Sequence, residues 1–332
     1  MRTYPLIPCL VMLAGLAPSL AHANSMEEDD KGIVNIIFEN DIFAGTDEGY
    51  TNGFRAAWLS SEKNMPEWVN DAASWLPMFS PEGSKRVSVA IGQSMFAPED
   101  LSSYNVIADD RPYAGWLYGS LGLVSDTGST LDNVVLTIGM VGPSSMAEQT
   151  QKFVHEVIDS PYPYGWHNQL ENEVGINLAY ERKWRAILQA TPFGVGVDAV
   201  PHVGVNFGNV DTNASVGATF RLGYDLPADY GPPRIRPSLP GSDFFIPTKE
   251  MGGYLFTTIE GRAVARNIFL DGNTFRDSHS VNKENFVGSL QLGGTLTWGD
   301  ARLSYTHVFM TKEYEEQDKA PQFGAITLSY RF

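Results

Sequence analysis

Two short stretches carry the residue types for hydrolytic chemistry. Gln151 and His155 lie four residues apart, a spacing that puts both on one face of a helix. Histidine is the side chain best suited to take a proton near neutral pH, as a general base must. A lone histidine on a helix is more often a surface or packing residue, so its neighbours decide. The second stretch is Phe38-Glu39-Asn40-Asp41-Ile42-Phe43, followed by Asp47-Glu48-Gly49-Tyr50-Thr51-Asn52-Gly53. Asp41, Asp47 and Glu48 offer hard oxygens of the kind that hold Ca²⁺. Asp47-Glu48-Gly49 also reads as an ordinary turn. No Gly-x-Ser-x-Gly, His-Glu-x-x-His or P-loop pattern occurs, and no serine stands out as a nucleophile.

The elements that position these residues differ in kind. Gln151 and His155 belong to a helix over 146–158, in which Met146, Phe153, Val154, Val157 and Ile158 recur at helical spacing. Ser145 with Glu148 has the spacing of an N-terminal capping box. The helix should stop near Asp159, before Pro161 and Pro163, and an aromatic turn through Tyr162, Tyr164 and Trp166 follows. Asn40 and Asp41 come at the end of a strand in which Val34, Ile36 and Phe38 alternate with Asn35, Ile37 and Glu39. If Val34, Ile36 and Phe38 face lipid, strict alternation puts Asn40 on the same outer face. A polar amide there costs free energy unless something covers it. A helix packed on the outer wall would cover it, and would bring His155 within about 10 Å of Asn40, the outer limit for a shared reaction. In the plainer reading the strand ends at Phe38 and Asn40-Asp41 opens an aqueous turn.

The rest of the chain reads as strands. Period-two alternation recurs at 32–41, 50–60, 85–95, 113–125, 132–142, 174–188, 194–207, 214–224, 252–270, 284–298, 301–311 and 321–332. The last of these ends Ile326-Thr327-Leu328-Ser329-Tyr330-Arg331-Phe332, the aromatic ending that outer-membrane barrels carry. Hydrophobic residues make up 43% of the chain and aromatic residues 12%, yet no run after residue 23 is long enough for a membrane-spanning helix. The expected fold is all-β: a twelve-stranded antiparallel transmembrane β-barrel with a short loop helix packed on its outer wall. A soluble β-sandwich would need an inner core that the alternation does not provide. Trp58, Trp116, Tyr118, Trp184 and Trp298 sit near strand ends, as interface girdles would. The Pro-rich stretch 227–249 reads as a long surface loop. Asp109-Asp110-Arg111 reads as a charge network at the barrel rim.

Residues 1–23 read as a secretory signal: a cationic start, an apolar run and the small-residue ending Ala21-His22-Ala23. The barrel then occupies 24–332. Cys9, the one cysteine, lies inside that leader, so no disulfide holds the exported chain. A net charge of −16 argues against a nucleic-acid partner.

With these motifs assembled, the chain resembles the outer-membrane lipid A 3′-O-deacylase family over essentially its whole exported length. The resemblance rests on Glu39-Asn40-Asp41, Tyr50-Thr51-Asn52-Gly53, Asp110-Arg111-Pro112-Tyr113-Ala114-Gly115-Trp116, and Gly142-Pro143 with Gln151 and His155. It continues through Gly165-Trp166, Gln169-Leu170-Glu171-Asn172-Glu173 and the run Asp271-Gly272-Asn273-Thr274-Phe275-Arg276-Asp277-Ser278. It implies a monomeric outer-membrane barrel whose partner is lipopolysaccharide, and Ca²⁺-dependent hydrolysis of the ester joining the 3′-acyloxyacyl group to lipid A. By the same resemblance His155 is the general base. Asn40 and Asp41 serve as oxyanion or metal residues, and Thr51 and Gln151 as supporting polar groups. Two departures stand out. Where the family has an acidic residue six positions after its histidine this chain has Pro161, and cationic residues of the family's third-strand loop have no match near Ala97–Leu101. The rival readings are a non-catalytic channel or structural barrel, and a barrel phospholipase using serine and histidine.

Overall fold

The structure is a computed structural model that describes residues 30–41, 49–63, 65–185, 187–224, 226–227, 229–231, 244–247 and 250–332. The expected leader (1–23), Asp47 and Glu48 lie outside these residues. The strands are β1 (Ile33–Asn40), β2 (Gly49–Leu59), β3 (Ser84–Ala97), β4 (Ala114–Asp126), β5 (Thr130–Val141), β6 (Glu173–Trp184), β7 (Leu188–Ala190), β8 (Gly196–Gly208), β9 (Asp211–Tyr224), β10 (Met251–Asn267), β11 (Phe286–Trp298), β12 (Ala301–Met310) and β13 (Gln322–Arg331). Every pairing is antiparallel. Pairing of β1 with β13 and of β6 with β8 closes the wall, and twelve strands complete it. The remaining strand, β7, is three residues long and pairs with β8 alone among the described residues.

The alternation follows the expected parity. On β1, Ile36 and Phe38 are exposed while Ile33, Asn35 and Ile37 are buried. An apolar exterior and a partly polar interior are the inverse of a water-soluble barrel and suit a lipid solvent. The start of β1 and the end of β13 lie at one end, where the backbone of Gly32 pairs with that of Phe332. In an even-stranded outer-membrane barrel this is the periplasmic end.

Several expectations are corrected. Trp116 and Tyr118 are not girdle residues: they lie on the inward parity of β4 and are buried in the barrel's upper core. The strand expected over 252–270 stops at Asn267, and a short helix α3 (Ile268–Asp271) turns into the lumen, stacking Phe269 on Phe96 at 4.0 Å between ring centroids. A helix unmarked by any sequence signal, α1 (Glu67–Ser74), interrupts the β2–β3 connection. Of the Pro-rich stretch 227–249, residues 228, 232–243 and 248–249 lie outside the described residues, but its described ends are not surface loop. Asp229, Tyr230, Phe244 and Phe245 are buried, and Tyr230, Phe244 and Phe245 form a core with Ile33, Leu59, Val124, Leu131 and Val200 at the periplasmic end. The barrel therefore does contain an inner core, built from segments folded into its two ends.

Charge locks the lower plug in place. Arg221 bridges Asp198 and Asp229, and Arg302 also reaches Asp229 at 3.3 Å; all four are buried. The Arg302 guanidinium lies 4.3 Å from the Phe245 ring centroid. Removing one partner of such a cluster leaves a buried charge uncompensated. Asp229→Ala should therefore lower stability by about 3–5 kcal/mol, read as a shifted denaturant midpoint for the micelle-bound barrel.

Candidate active site

The helix carrying the candidate base is α2 (Ala147–Ile158). It is held outside the barrel, at the end opposite the Gly32–Phe332 pairing. Gly115 on β4 has outward parity, and a Cβ there would collide with Ser145 Oγ and Ala147 Cβ. The missing side chain lets the start of the helix rest on the wall. Gln93 on β3 donates from Nε2 to the Ser145 carbonyl at 2.6 Å. Gly142 takes φ of 95°, where a side chain would strike Glu171, and its N–H donates to the Gly115 carbonyl at 3.0 Å.

The expected capping box does not form. A short turn over Pro143–Ser145 spends Ser145 on the wall contact, and the N-cap is Met146 with φ of 59°. Glu148 instead pairs with Lys152 at 2.6 Å.

The helix is inverted relative to one in water. Ala147, Gln151 and His155 form its buried face, with Gln151 1% and His155 3% exposed. Phe153 is 66% exposed, and Met146 and Val157 are exposed with it. Gln151 and His155 face protein, while Met146, Phe153 and Val157 share the outer face with the exposed Gln149 and Glu156; large apolar side chains so placed suit hydrocarbon surroundings.

Both polar residues of the buried face are oriented. Trp166 Nε1 donates to Gln151 Oε1 at 2.6 Å. An indole N–H can only donate, so the amide oxygen must face it and the NH₂ group must point away. That buried Nε2 has no hydrogen-bond partner among the described residues. Trp166 is clamped by Tyr113, at 4.9 Å between ring centroids, within a cluster that includes Met95, Ala97, Leu101 and Ala147. His155 Nδ1 lies 2.6 Å from the Pro161 carbonyl oxygen. A carbonyl only accepts, so Nδ1 carries a proton and Nε2 is the basic nitrogen of the neutral ring.

β1 continues through Asn40, so the aqueous-turn reading of that residue fails. Asn40 shares the outward parity of Ile36 and Phe38 yet is only 4% exposed, and Asp41 beside it is 0% exposed. The register places Asn40 in a row that leads to the seat of α2. Asn40 pairs with Asn52, Asn52 with Met95, and Met95 with Gly115, where the helix is seated. Asn52 and Met95 are buried too. This covered row runs along the outer wall from β1 to β4. Sequence reading named Asn52 and Trp166 within motifs but gave them no role in the site; the register and the loop closure supply it. Thr51 lies in β2 beside the bulge between Tyr50 and Asn52, and its side chain is outside the described residues.

Asp41 and Asn40 are hard-oxygen donors that fit part of a Ca²⁺ shell. No cluster of three or more His, Cys, Asp or Glu residues suited to a metal occurs among the described residues. Water or substrate oxygens would have to supply further ligands.

Asp110 and Arg111 do enter a rim network. Arg111 donates to Glu313 at 2.6 Å, Tyr314 donates to Asp110, and His279 lies 2.7 Å from the Asp110 carbonyl. Burial, and then the bond to Asp110, push the Tyr314 phenol above its ordinary range, so it remains a donor.

Residues 6–332 match the family described as "Outer membrane protein LpxR". The chain belongs to the LpxR family, the lipid A 3′-O-deacylases. It is an outer-membrane protein. Among solved structures, LpxR from Salmonella typhimurium is similar with a TM-score of 0.73 at 20% identity, covering 90% of this chain and 100% of that one. That likeness shows the shared barrel fold. The β domain of the Bordetella autotransporter BrkA matches with a TM-score of 0.42 at 8% identity, covering 91% of this chain and 98% of that one. No curated protein sequence matches.

In this LpxR-family barrel the seat of the helix is the feature most open to test. Gly115→Leu should lift the start of α2 from the wall and abolish any activity of the cleft. The barrel should keep its heat-modifiable migration in gels, because β4 still pairs on both sides.

Proposed function

We propose that this protein hydrolyses the ester linking the 3′-acyloxyacyl group to lipid A, in a cleft between the outer wall and α2. One observation carries the reading: an inverted helix presents a tautomer-set histidine and an unsatisfied amide donor to a wall whose own outward polar residues are buried. Polar groups hidden beneath a lipid-facing helix suit a substrate whose head is polar and whose tails are acyl chains.

In this mechanism His155 Nε2 takes a proton from water, and the hydroxide formed attacks the ester carbonyl. The Pro161 carbonyl stabilises the imidazolium through Nδ1–H, in the role a carboxylate would otherwise fill. The Asn40 amide and the Gln151 NH₂ group donate to the developing oxyanion, each worth on the order of 3 kcal/mol if well placed. Collapse of the tetrahedral intermediate breaks the bond to the sugar oxygen, and the imidazolium returns its proton to that oxygen. The products are a free 3′-hydroxyl and an acyloxyacyl carboxylic acid. Ca²⁺ held by Asp41 and Asn40 would supply Lewis-acid polarisation of the carbonyl.

The plugged lumen weighs against the channel reading, since apolar clusters occupy both ends of the barrel. His155→Ala should cut release of 3′-acyl chains from purified lipid A about a hundredfold or more, and Asn40→Ala by a similar factor. Near-normal release by either variant, measured by mass spectrometry, would sink the assignment. Trp166→Phe, which frees the Gln151 amide to turn, should lower kcat about tenfold with little change in KM. A serine-directed inhibitor should have no effect, whereas chelation of Ca²⁺ should stop the reaction.

A further inference from the structure

The β2–β3 connection holds a second feature that the proposed reaction does not use. Helix α1 divides into three arcs. Val69 and Ala73 are buried. Trp68 and Trp75, seven residues apart and so two turns along one side, are exposed, Trp75 to 84%. Glu67, Asn70, Asp71 and Ser74 fill the remaining, polar arc, and all are exposed. Two bare indoles beside an acidic arc are costly in water but suit an interface that is apolar on one side and wet on the other.

The register places this helix beside such an interface. Trp58 pairs with Val34, Val34 with Tyr330, Tyr330 with Ala301 and Ala301 with Trp298. Trp58, Tyr330 and Trp298 are exposed on the outward parity, so they form one aromatic row around the wall near its periplasmic rim. The chain leaves this row one residue after Trp58, at the end of β2, and enters α1. The segment after α1 is tied to the same rim. Arg182, on the outward parity of β6, donates to the Met78 carbonyl at 2.7 Å while also holding Asp132. Lys85 at the start of β3 donates to the Ser80 carbonyl at 2.6 Å.

We propose that α1 is an interfacial anchor: Trp68 and Trp75 insert into the phospholipid headgroup boundary of the periplasmic leaflet, extending the aromatic row laterally. The occupant of this face is a phospholipid surface, and the acidic arc faces the aqueous periplasm. The anchor would hold the barrel at a set depth from the side opposite the α2 cleft.

The test uses the full chain with Cys9→Ala, reconstituted in phosphatidylethanolamine–phosphatidylglycerol vesicles. Nitroxide labels are attached singly to Trp68→Cys, Trp75→Cys and Asp71→Cys. Paramagnetic resonance compares collision with oxygen, which partitions into lipid, against collision with a nickel chelate confined to water. Labels at 68 and 75 should show an oxygen-to-nickel ratio several-fold above that at 71. A ratio at either position equal to that at 71 would overturn the proposal. All three positions are exposed, so the labels leave the packing of the barrel intact.

Discussion

A polar side chain on the lipid-facing wall of a barrel must be covered. Water does not reach it, and hydrocarbon offers no hydrogen bond, so an open amide at Asn40 or Asn52 would cost several kcal/mol. Asn40, Asn52 and Met95 are all buried on that wall, and α2 buries its own polar residues, Gln151 and His155, where it is seated against β3 and β4. The same constraint explains why the apolar residues of α2 face away from the protein. In the proposed cleft, between wall and helix, oriented donors would act in low-dielectric surroundings, where they stabilise a developing charge most strongly.

The wall can host such a site because its interior supplies rigidity. Apolar clusters close the lumen at both ends, and the arginine–aspartate lattice around Asp229 pins the lower one. Loops at the opposite end are joined through Asp110, Arg111, Glu313, Tyr314 and His279. The helix is placed by the close approach at Gly115 on β4, by the bond from the Gly142 N–H to the Gly115 carbonyl just past β5, and by the Trp166 clamp in the loop before β6.

Much of the fold was legible because a strand's two faces see different solvents. Alternation located the twelve wall strands within a few residues of their ends. It failed where the chain entered the lumen. Inside a barrel, buried apolar residues such as Phe244, Phe245 and Phe269 obey no period, and proline-rich composition resembles that of an exposed loop. Trp116 and Tyr118 looked like girdle residues because position near a strand end does not reveal parity; their neighbours in the upper core do. The capping box failed because Ser145 is occupied by the wall, a contact between residues far apart in sequence.

By itself the sequence determined the barrel, the helix with Gln151 and His155 on one face, and the outward parity of Asn40. These follow from local periodicity, which each segment carries alone. Only the tertiary structure decided which face of α2 meets the wall, that Trp166 turns the Gln151 amide, and that the Pro161 carbonyl lies against His155 Nδ1. It also decided that Asn52 belongs to the covered row, since strand register is a property of pairs and not of single segments. The Gln151–Trp166 bond spans 15 residues and the covered row spans four strands, so neither shows in the periodicity of any single segment.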